Sequence, residues 1–579
     1  MKYTQELIGT DNNGSNKKNK SSWRIVKRLS AAAIAIMLMF TGCAGGSVAA
    51  ADTSDTTSAK TAAVSDAASK ADQFTDRDLS GDYDESAALK IALNGSSASV
   101  EAEGTETKSS GVSIDGSTVT ISAEGTYIFS GTLSDGMIIV DADDAAKVQI
   151  VLDGASIMSE TSAAIYVRSA DKVFVTTASG TENTLSNSGT FTAIDDSNID
   201  GAVFAKDDIT FNGSGSLTIT SPAGHGIVGK DDVKIAGGTL TITAAKHGVQ
   251  ANDSARFAAA DVKITAGTDG IHVSDDADAE EGTESDSYFY IADAALTIEA
   301  GDDGIHADAQ ALIEGGSITV SESYEGIEAL DIEITGGEID VTASDDGLNA
   351  AGGNSSTSGG STFGEDDWMG GQGGMRDGGD FSDGGNAGTI SVSGGSTHIR
   401  AGGDGVDSNG SVAISGGTTI VEGPSQGDTS VLDFNASGTV SGGTFIGTGG
   451  SGMAQNFTGA ENQGLIAVSV GSQSAGTTVT LTDADGKVIA EVTPELDYAV
   501  VYISTPEIDS NGSYTLTAGS YSETVQLTDG MYSGLSGGMG GMHGSNGAEG
   551  MADGSSPRGM EHGGMRGGNE GAPQEMMEN

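Results

Sequence analysis

Thr268-Asp269-Gly270-Ile271-His272 returns as Asp302-Asp303-Gly304-Ile305-His306 and again as Tyr324-Glu325-Gly326-Ile327-Glu328. The core of the phrase, an acid or histidine followed by glycine and an aliphatic residue, also stands at His225-Gly226-Ile227, His247-Gly248-Val249, Asp346-Gly347-Leu348 and Asp404-Gly405-Val406. Most copies are 21 or 22 residues apart. A period of that size with short β-type runs between copies predicts a chain wound in repeats, in which one sequence position stacks into a row.

Each repeat carries two further strands. One is a short alternating run such as Val233-Lys234-Ile235 or Ile332-Glu333-Ile334. The other follows a Gly-Gly turn, as in Gly237-Gly238-Thr239-Leu240-Thr241-Ile242 or Gly336-Gly337-Glu338-Ile339-Asp340-Val341. Three strands per repeat predict an all-β chain, a right-handed parallel β-helix with rungs about 4.8 Å apart. A sandwich would not repeat one phrase at fixed spacing. A narrow core of stacked Val, Ile and Leu fits a composition of 90 glycines, 6 prolines and 5% aromatics.

The phrase divides the chain. Residues 86–463 are expected to form the β-helix, with an acidic insertion at 274–287 and a Gly-rich one at 352–388, both leaving from the same side. Residues 464–529 read as a small antiparallel β-domain with a hairpin turn at Asp483-Ala484-Asp485-Gly486, placed to cap an open end of strands. Residues 530–579, rich in Gly and Met with scattered His, read as a disordered tail and as filler rather than a Cu(I) site.

Residues 1–42 have the layout of a lipoprotein signal. Lys17, Lys18, Lys20, Arg24, Lys27 and Arg28 precede an apolar stretch at 29–40 that is short for a membrane span. It ends in Phe40-Thr41-Gly42-Cys43, which resembles a bacterial lipobox. Cys43 is the only cysteine, which excludes an intrachain disulfide and makes it the expected lipidation site. Residues 43–85 read as a disordered tether. The expected location is the outer face of a bacterial cell membrane, secreted and held there through the lipid alone.

Aligned on the motif glycine, Asp303, Glu325 and Asp346 fall in one column, continued by Asp269 and Asp404 and thickened by Asp302 and Asp345. Two positions after the glycine, His272, His306, Glu328, Asn349 and Asp407 form a second. Carboxylates about 4.8 Å apart cannot all stay ionised without compensation. Ca²⁺ takes oxygens at about 2.3–2.6 Å, so one ion fits between neighbouring rungs. The expected calcium ligands are Asp269, Asp302, Asp303, Glu325, Glu328, Asp345, Asp346, Asp404 and Asp407. The bland reading of the same residues is a solvated corner in which Asp and Asn favour tight turns. Imidazole is a poor calcium ligand, so His272 and His306 are expected to stack neutrally or to hydrogen-bond a sugar hydroxyl.

The net charge of −57 argues against nucleic acid as a partner and for divalent cations. The phrases Gly125-Thr126-Tyr127-Ile128-Phe129-Ser130-Gly131-Thr132-Leu133 and Gly180-Thr181-Glu182-Asn183-Thr184-Leu185, with the Asp-Asp-Gly-Ile-His repeats, resemble bacterial secreted carbohydrate-binding domain-containing proteins. The likeness covers roughly residues 86–530. It implies a parallel β-helix of the pectate-lyase type, calcium, and binding of acidic or plant-type polysaccharide, but a shared fold does not carry catalysis with it. Bound calcium would bridge such an acidic protein to a uronate. The expected sugar-binding residues are His272, His306, Asn349, Tyr324 and Trp368, with Tyr288 and Tyr290 as further aromatic candidates. A polysaccharide lyase is the enzymatic alternative, with Lys246 and Arg400 the best-placed cations for its base. Lys206 and Lys230 read as structural. A structural adhesin of the envelope is the third reading, and a monomer is expected.

Overall fold

The computed structural model describes residues 70–101, 111–275, 285–350, 387–424, 427 and 429–535. Among these the chain is nearly all β. The helices are two four-residue pieces, Lys70–Gln73 and Asp76–Leu79, and no helix is long and apolar enough to cross a membrane. The expected signal, Cys43, Trp368, most of both insertions and nearly all of the tail lie outside the described residues.

Thirty-nine strands join in one sheet whose pairing is mainly parallel, with most strands bonded to the one three places on. Three ladders result. The first, the glycine ladder, runs through Gly201–Ala205, His225–Gly229, Val249–Ala251 and Ile271–Val273, and on to Leu348–Ala350, Val406–Ser408 and Leu432–Phe434. The second includes Lys172–Thr177, Asp208–Gly213, Asp232–Ile235, Ser254–Phe257 and Tyr288–Ile291. The third includes Ser216–Ser221, Thr239–Ala244, Asp261–Ala266 and Ala295–Ala300. Both insertions lie between a glycine-ladder strand and the next strand of the second ladder, after Val273 and after Ala350.

The alternation sets which side chains meet. In Thr239–Ala244, Leu240, Ile242 and Ala244 are buried while the threonines face outward. The aliphatic residue of each phrase (Ile227, Val249, Ile271, Ile305, Ile327, Leu348, Val406) is at most 1% exposed. Burial of one such side chain stabilises by about 1.5–3 kcal/mol. The preceding glycine is required by close approach. A Cβ on Gly304 would lie 2.6 Å from the Gly326 carbonyl oxygen and 2.8 Å from a Val320 methyl, and Gly248 and Gly270 meet the next repeat in the same way.

Three boundaries differ from the expectation. Residues 70–85, assigned to the tether, are seated along the second ladder. Phe74 packs on Tyr290, Asp78 is fully buried, and the Asn212 amide donates to the Arg77, Asp78 and Ser80 carbonyls. The tether reading does not hold over 70–85, where isolated anchors stand in place of an apolar period; residues 43–69 lie outside the described residues. The C-terminal β-region is not separate. Gly464–Gln473 and Tyr498–Thr505 belong to the large sheet, and the latter pairs antiparallel with Thr444–Gly449 at the end of the third ladder. A second, four-stranded antiparallel sheet (Val479–Asp483, Val488–Val492, Ser513–Ala518, Tyr521–Gln526) covers it through a core of its own. Its hairpin turns at Asp483–Gly486, where the Asp483 carboxylate accepts the Asp485 and Lys487 amides. Finally, Met531–Gly534, within the expected tail, is a strand paired with Leu465 to Val468.

Candidate functional site

The register of the glycine ladder brings the sequence-selected residues together. Gln250, His272, His306, Glu328, Asn349 and Asp407 are successive partners on the outward face. The next partner is Asp433, which the phrase search missed because Val431 stands where the glycine is expected. Backbone bonds from each motif glycine fix the other column: Gly248 donates to the Asp269 carbonyl, Gly270 to Asp303, Gly304 to Glu325, Gly326 to Asp346 and Gly347 to Asp404.

The first-column aspartates do double work. One oxygen accepts the amide of the equivalent residue one repeat on: Asp269 from Asp303 (3.2 Å), Asp303 from Glu325 (3.3 Å), Asp346 from Asp404 (2.6 Å) and Asp404 from Ser430. This is a structural role that sequence reading did not find. The second oxygen remains for other chemistry. In Asp269 it accepts from His272 Nδ1 at 2.6 Å.

Four of the seven histidines form one stack. Ring centroids are 4.9 Å apart for His225 and His247, 4.4 Å for His247 and His272, and 4.8 Å for His272 and His306, with planes within 25°. Atoms of His247, Asp269 and His272 lie within 4.8 Å of one another, close enough for a metal. A transition metal takes imidazole through the in-plane lone pair at about 2.0–2.1 Å, and near-parallel stacked rings cannot both aim that lone pair at one ion. His272 and His306 stack, as expected, but the expected neutrality does not extend to His306, which three carboxylates surround.

The electrostatics divide the stack from the acids. Burial, then the neighbouring His247 and Lys246, hold His225 down to about 3, and burial also lowers His272. For His306 burial acts in the same sense, but Asp303, Asp308 and Glu328 around it raise it well above the usual imidazole value. Its Nδ1 meets Glu328 at very short range and lies 3.5 Å from Asp303, and its Nε2 is 3.2 Å from Asp308. His306 is therefore an imidazolium that neutralises the start of the acidic column. Asp269, opposed by burial but held by His247 and His272, stays well below the usual carboxylate range, and His306 does the same for Glu328.

Beyond His306 no cation faces the column's remaining acids among the contacts described. Burial, then adjacent carboxylates, push Glu325 up to about 9, Asp346 to about 7, and Asp404 and Asp407 to about 6, and burial with Asp269 and Glu328 holds Asp303 at about 7 against the pull of His306. Asp302 is raised by burial and by Asp269. Two details fit an oxygen-seeking cation there. Asn349 is buried, donates to Glu325 at 2.8 Å, and leaves its Oδ1 without a partner. A Cβ on Gly403 would run into the Asp345 and Asp346 carboxylate oxygens, so the absence of a side chain there is what accommodates them. Oxygens of Asp269, Asp302 and Asp303 also come within 4.8 Å of one another. All-oxygen donor sets of this kind suit Ca²⁺.

The aromatic candidates separate. Tyr288 bonds to Gln73 and Tyr290 is buried under Phe74, so the strap at 70–85 covers both. Tyr324 is 41% exposed, beside Asp302 and Asp345 on the acidic face. Of the cations weighed for a lyase base, Arg400 is held by Asp340 (2.6 Å) and Glu495 (2.9 Å) on the third ladder, and Lys246 lies 3.8 Å from Asp200.

Residues 115–367 match the model of a family described as carbohydrate-binding domain-containing protein. A carbohydrate-binding domain-containing protein of Acetivibrio thermocellus is 38% identical over 120 residues, which are 20% of this chain and 42% of that protein. The chain thus spans less than half the length of this curated relative. A solved structure titled as the polysaccharide lyase-like protein from C. thermocellum, gadolinium derivative, is 29% identical; the match covers 44% of this chain and 93% of that one, with a TM-score of 0.35. The family found in this way is the one that the repeated phrases resemble.

Proposed function

We propose, from the premise that residues 115–367 match a carbohydrate-binding family, that this chain binds acidic polysaccharide through Ca²⁺ held on the glycine-ladder face. In this reading the three ladders close into a right-handed parallel β-helix, continued by the C-terminal antiparallel strands. Asp269, Asp302 and Asp303 hold one calcium position. Glu325, Asp345, Asp346, Asn349, Asp404 and Asp407 supply the oxygens of the rest, and Glu328 balances His306. Calcium relieves repulsion among the stacked carboxylates, and a coordination position left open to solvent accepts a uronate carboxylate. Tyr324 and the edge of the His272–His306 stack flank that position and contact the sugar ring.

The observation that carries the reading is the placement of Asp303, Glu325, Asp346 and Asp404 on consecutive rungs, where burial and then neighbouring carboxylates raise their pKa values. Calcium between two acidic surfaces offsets their repulsion. A lipid on Cys43 would hold the protein, as a monomer, at the outer face of a bacterial membrane, where it meets wall or plant polymers.

Retention on polygalacturonate, measured with calcium and with EDTA while unsaturated products are followed by absorbance, tests this. Calcium-dependent retention without product supports the binder. Product release supports a lyase, and retention on neither this polymer nor other glycans supports an adhesin.

A further inference from the structure

We infer that the Lys172 amine and the Asp78 carboxyl condense to an isopeptide bond, which staples the strap at residues 70–85 to the second ladder. The inference is independent of what the chain binds and concerns how its N-terminal segment is held.

The strap pairs with no strand. Side chains hold it: Lys70 meets Asp293 at 2.7 Å, the Arg256 guanidinium donates to the Gln73 carbonyl at 3.0 Å, and Phe74 packs on Tyr290. At its centre Asp78 is fully buried and Lys172 is 7% exposed, with the lysine Nζ 2.6 Å from Asp78 Oδ1. Such contact brings the nitrogen close to the roughly 3–3.5 Å from the carboxyl carbon at which a bound nucleophile is poised. The register supplies the surroundings. Asp208 is the rung partner of Lys172, and Thr210 is the rung partner of both Phe174 and Lys234.

The groups around the pair suit acyl chemistry. Asp78 Oδ2 accepts from the Thr75 amide at 2.9 Å and from the Thr75 hydroxyl at 2.8 Å. These donors hold the negative charge that develops on that oxygen when the nitrogen adds to Cγ. Oδ1, the leaving oxygen, accepts from the Thr210 hydroxyl at 2.8 Å. The buried Phe174 ring lies 5.5 Å from the Lys172 Nζ and 4.4 Å from the Arg77 guanidinium. Burial of both partners keeps out the water that would reverse the bond.

Burial opposes a charge on Asp78, but Lys172 and then Lys234 hold its carboxyl well below the usual carboxylate range, so the pair rests as ammonium and carboxylate. Condensation begins when one proton passes from Nζ to Oδ1, exchanging two charges that are costly to bury for a neutral amine and acid. The amine lone pair then adds to Cγ. The nitrogen loses a second proton, Asp208 takes it up and returns it to Oδ1, and the Cγ–Oδ1 bond breaks. Burial, then Asp232, push Asp208 up to about 6, which lets it both accept and give a proton. Two protons and Oδ1 leave as one water, the two charges cancel, and no further reactant is needed. The strap lies between Cys43 and the ladders in sequence, so a bond at Asp78 passes a pull from the proposed anchor to the body of the protein.

The test is tryptic digestion of the denatured full chain, read by tandem mass spectrometry, for wild type, Lys172→Arg and Asp208→Asn. The expected wild-type product is a branched peptide in which Asp78–Lys90 is joined to Ser169–Lys206, uncut after Lys172 and lighter by one water than its two parts. Lys172→Arg keeps the positive charge but has no nucleophilic amine, and should give none. Asp208→Asn should slow appearance of the branched peptide in a pulse–chase by about a hundredfold or more. A wild-type digest that contains only Ser169–Lys172, Val173–Lys206 and separate Asp78–Lys90 overturns the bond and leaves a plain ion pair. Branched peptide formed at the wild-type rate in Asp208→Asn overturns Asp208 as the proton carrier. Should either variant misfold, the wild-type digest decides alone.

Discussion

His272 and His306 stack with ring centroids 4.8 Å apart and planes 13° from parallel, yet they sit on opposite sides of an electrostatic boundary: burial keeps the first neutral, and three surrounding carboxylates charge the second. From His306 onward the face is a row of acids in excess of its cations, and the following expectations derive from that excess.

In chelator, stability should fall as pH rises from about 6.5 to 9. The acids concerned have folded values of about 6 to 9, above their unfolded values near 4. Their contribution is full at low pH and is lost as pH climbs through the folded values. His306, also raised, loses its contribution in the same direction. Calcium needs the ionised forms, so its increment in Tm should be larger at pH 8.5 than at pH 6.5. Scanning calorimetry with EDTA or CaCl₂ reads both, and equal increments at the two pH values would contradict the carboxylate ladder as a calcium site.

Asn349→Leu separates ligand from scaffold. Its Oδ1 has no partner within the protein, while its Nδ2 donates to Glu325, so the cost to the calcium-free protein should be that of the lost Glu325 bond, about 1–3 kcal/mol. Calcium affinity should drop by roughly tenfold through loss of one oxygen ligand. Calcium titration beside urea unfolding distinguishes the two, and a variant with wild-type calcium affinity would remove Asn349 from the site.

Gly304→Ala should destabilise by about 1–3 kcal/mol or more through overpacking against Gly326 and Val320, seen as a lower urea midpoint. A neutral result would mean that the rungs are not as closely stacked as the glycine phrase requires.

Asp78→Ala should be the costliest single change outside the ladder. Its carboxylate lies 2.6 Å from the Lys172 Nζ, accepts from the Thr210 hydroxyl at 2.8 Å, and is 3.8 Å from Lys234. Removing it strands the buried Lys172 and leaves Lys234 to Asp232 at 3.9 Å, which costs about 3–5 kcal/mol. Denaturant unfolding and protease sensitivity near residue 75 measure the effect, and a loss below about 1 kcal/mol would make the strap an incidental contact.

The columns were legible in the sequence because one close-approach glycine per repeat fixes the register, and side chains at constant offsets from it then have to stack. Asp433 escaped because Val431 breaks the phrase, and Asp308 because only one outward position per strand was followed. The amide-accepting oxygens of Asp269, Asp303 and Asp346 were illegible for a different reason. They depend on rotamers set by neighbours a repeat away. The strap could not be read from periodicity, since Phe74 and Asp78 are single anchors whose partners lie about a hundred residues or more further on in sequence.

Crystals grown with calcium and measured for anomalous scattering test the central claim most directly. The account expects peaks about 2.3–2.6 Å from oxygens of Asp269, Asp302 and Asp303 and of Asp346, Asn349 and Asp404. Anomalous maps with no peak along this face, from a protein whose polysaccharide binding nonetheless needs calcium, would contradict it.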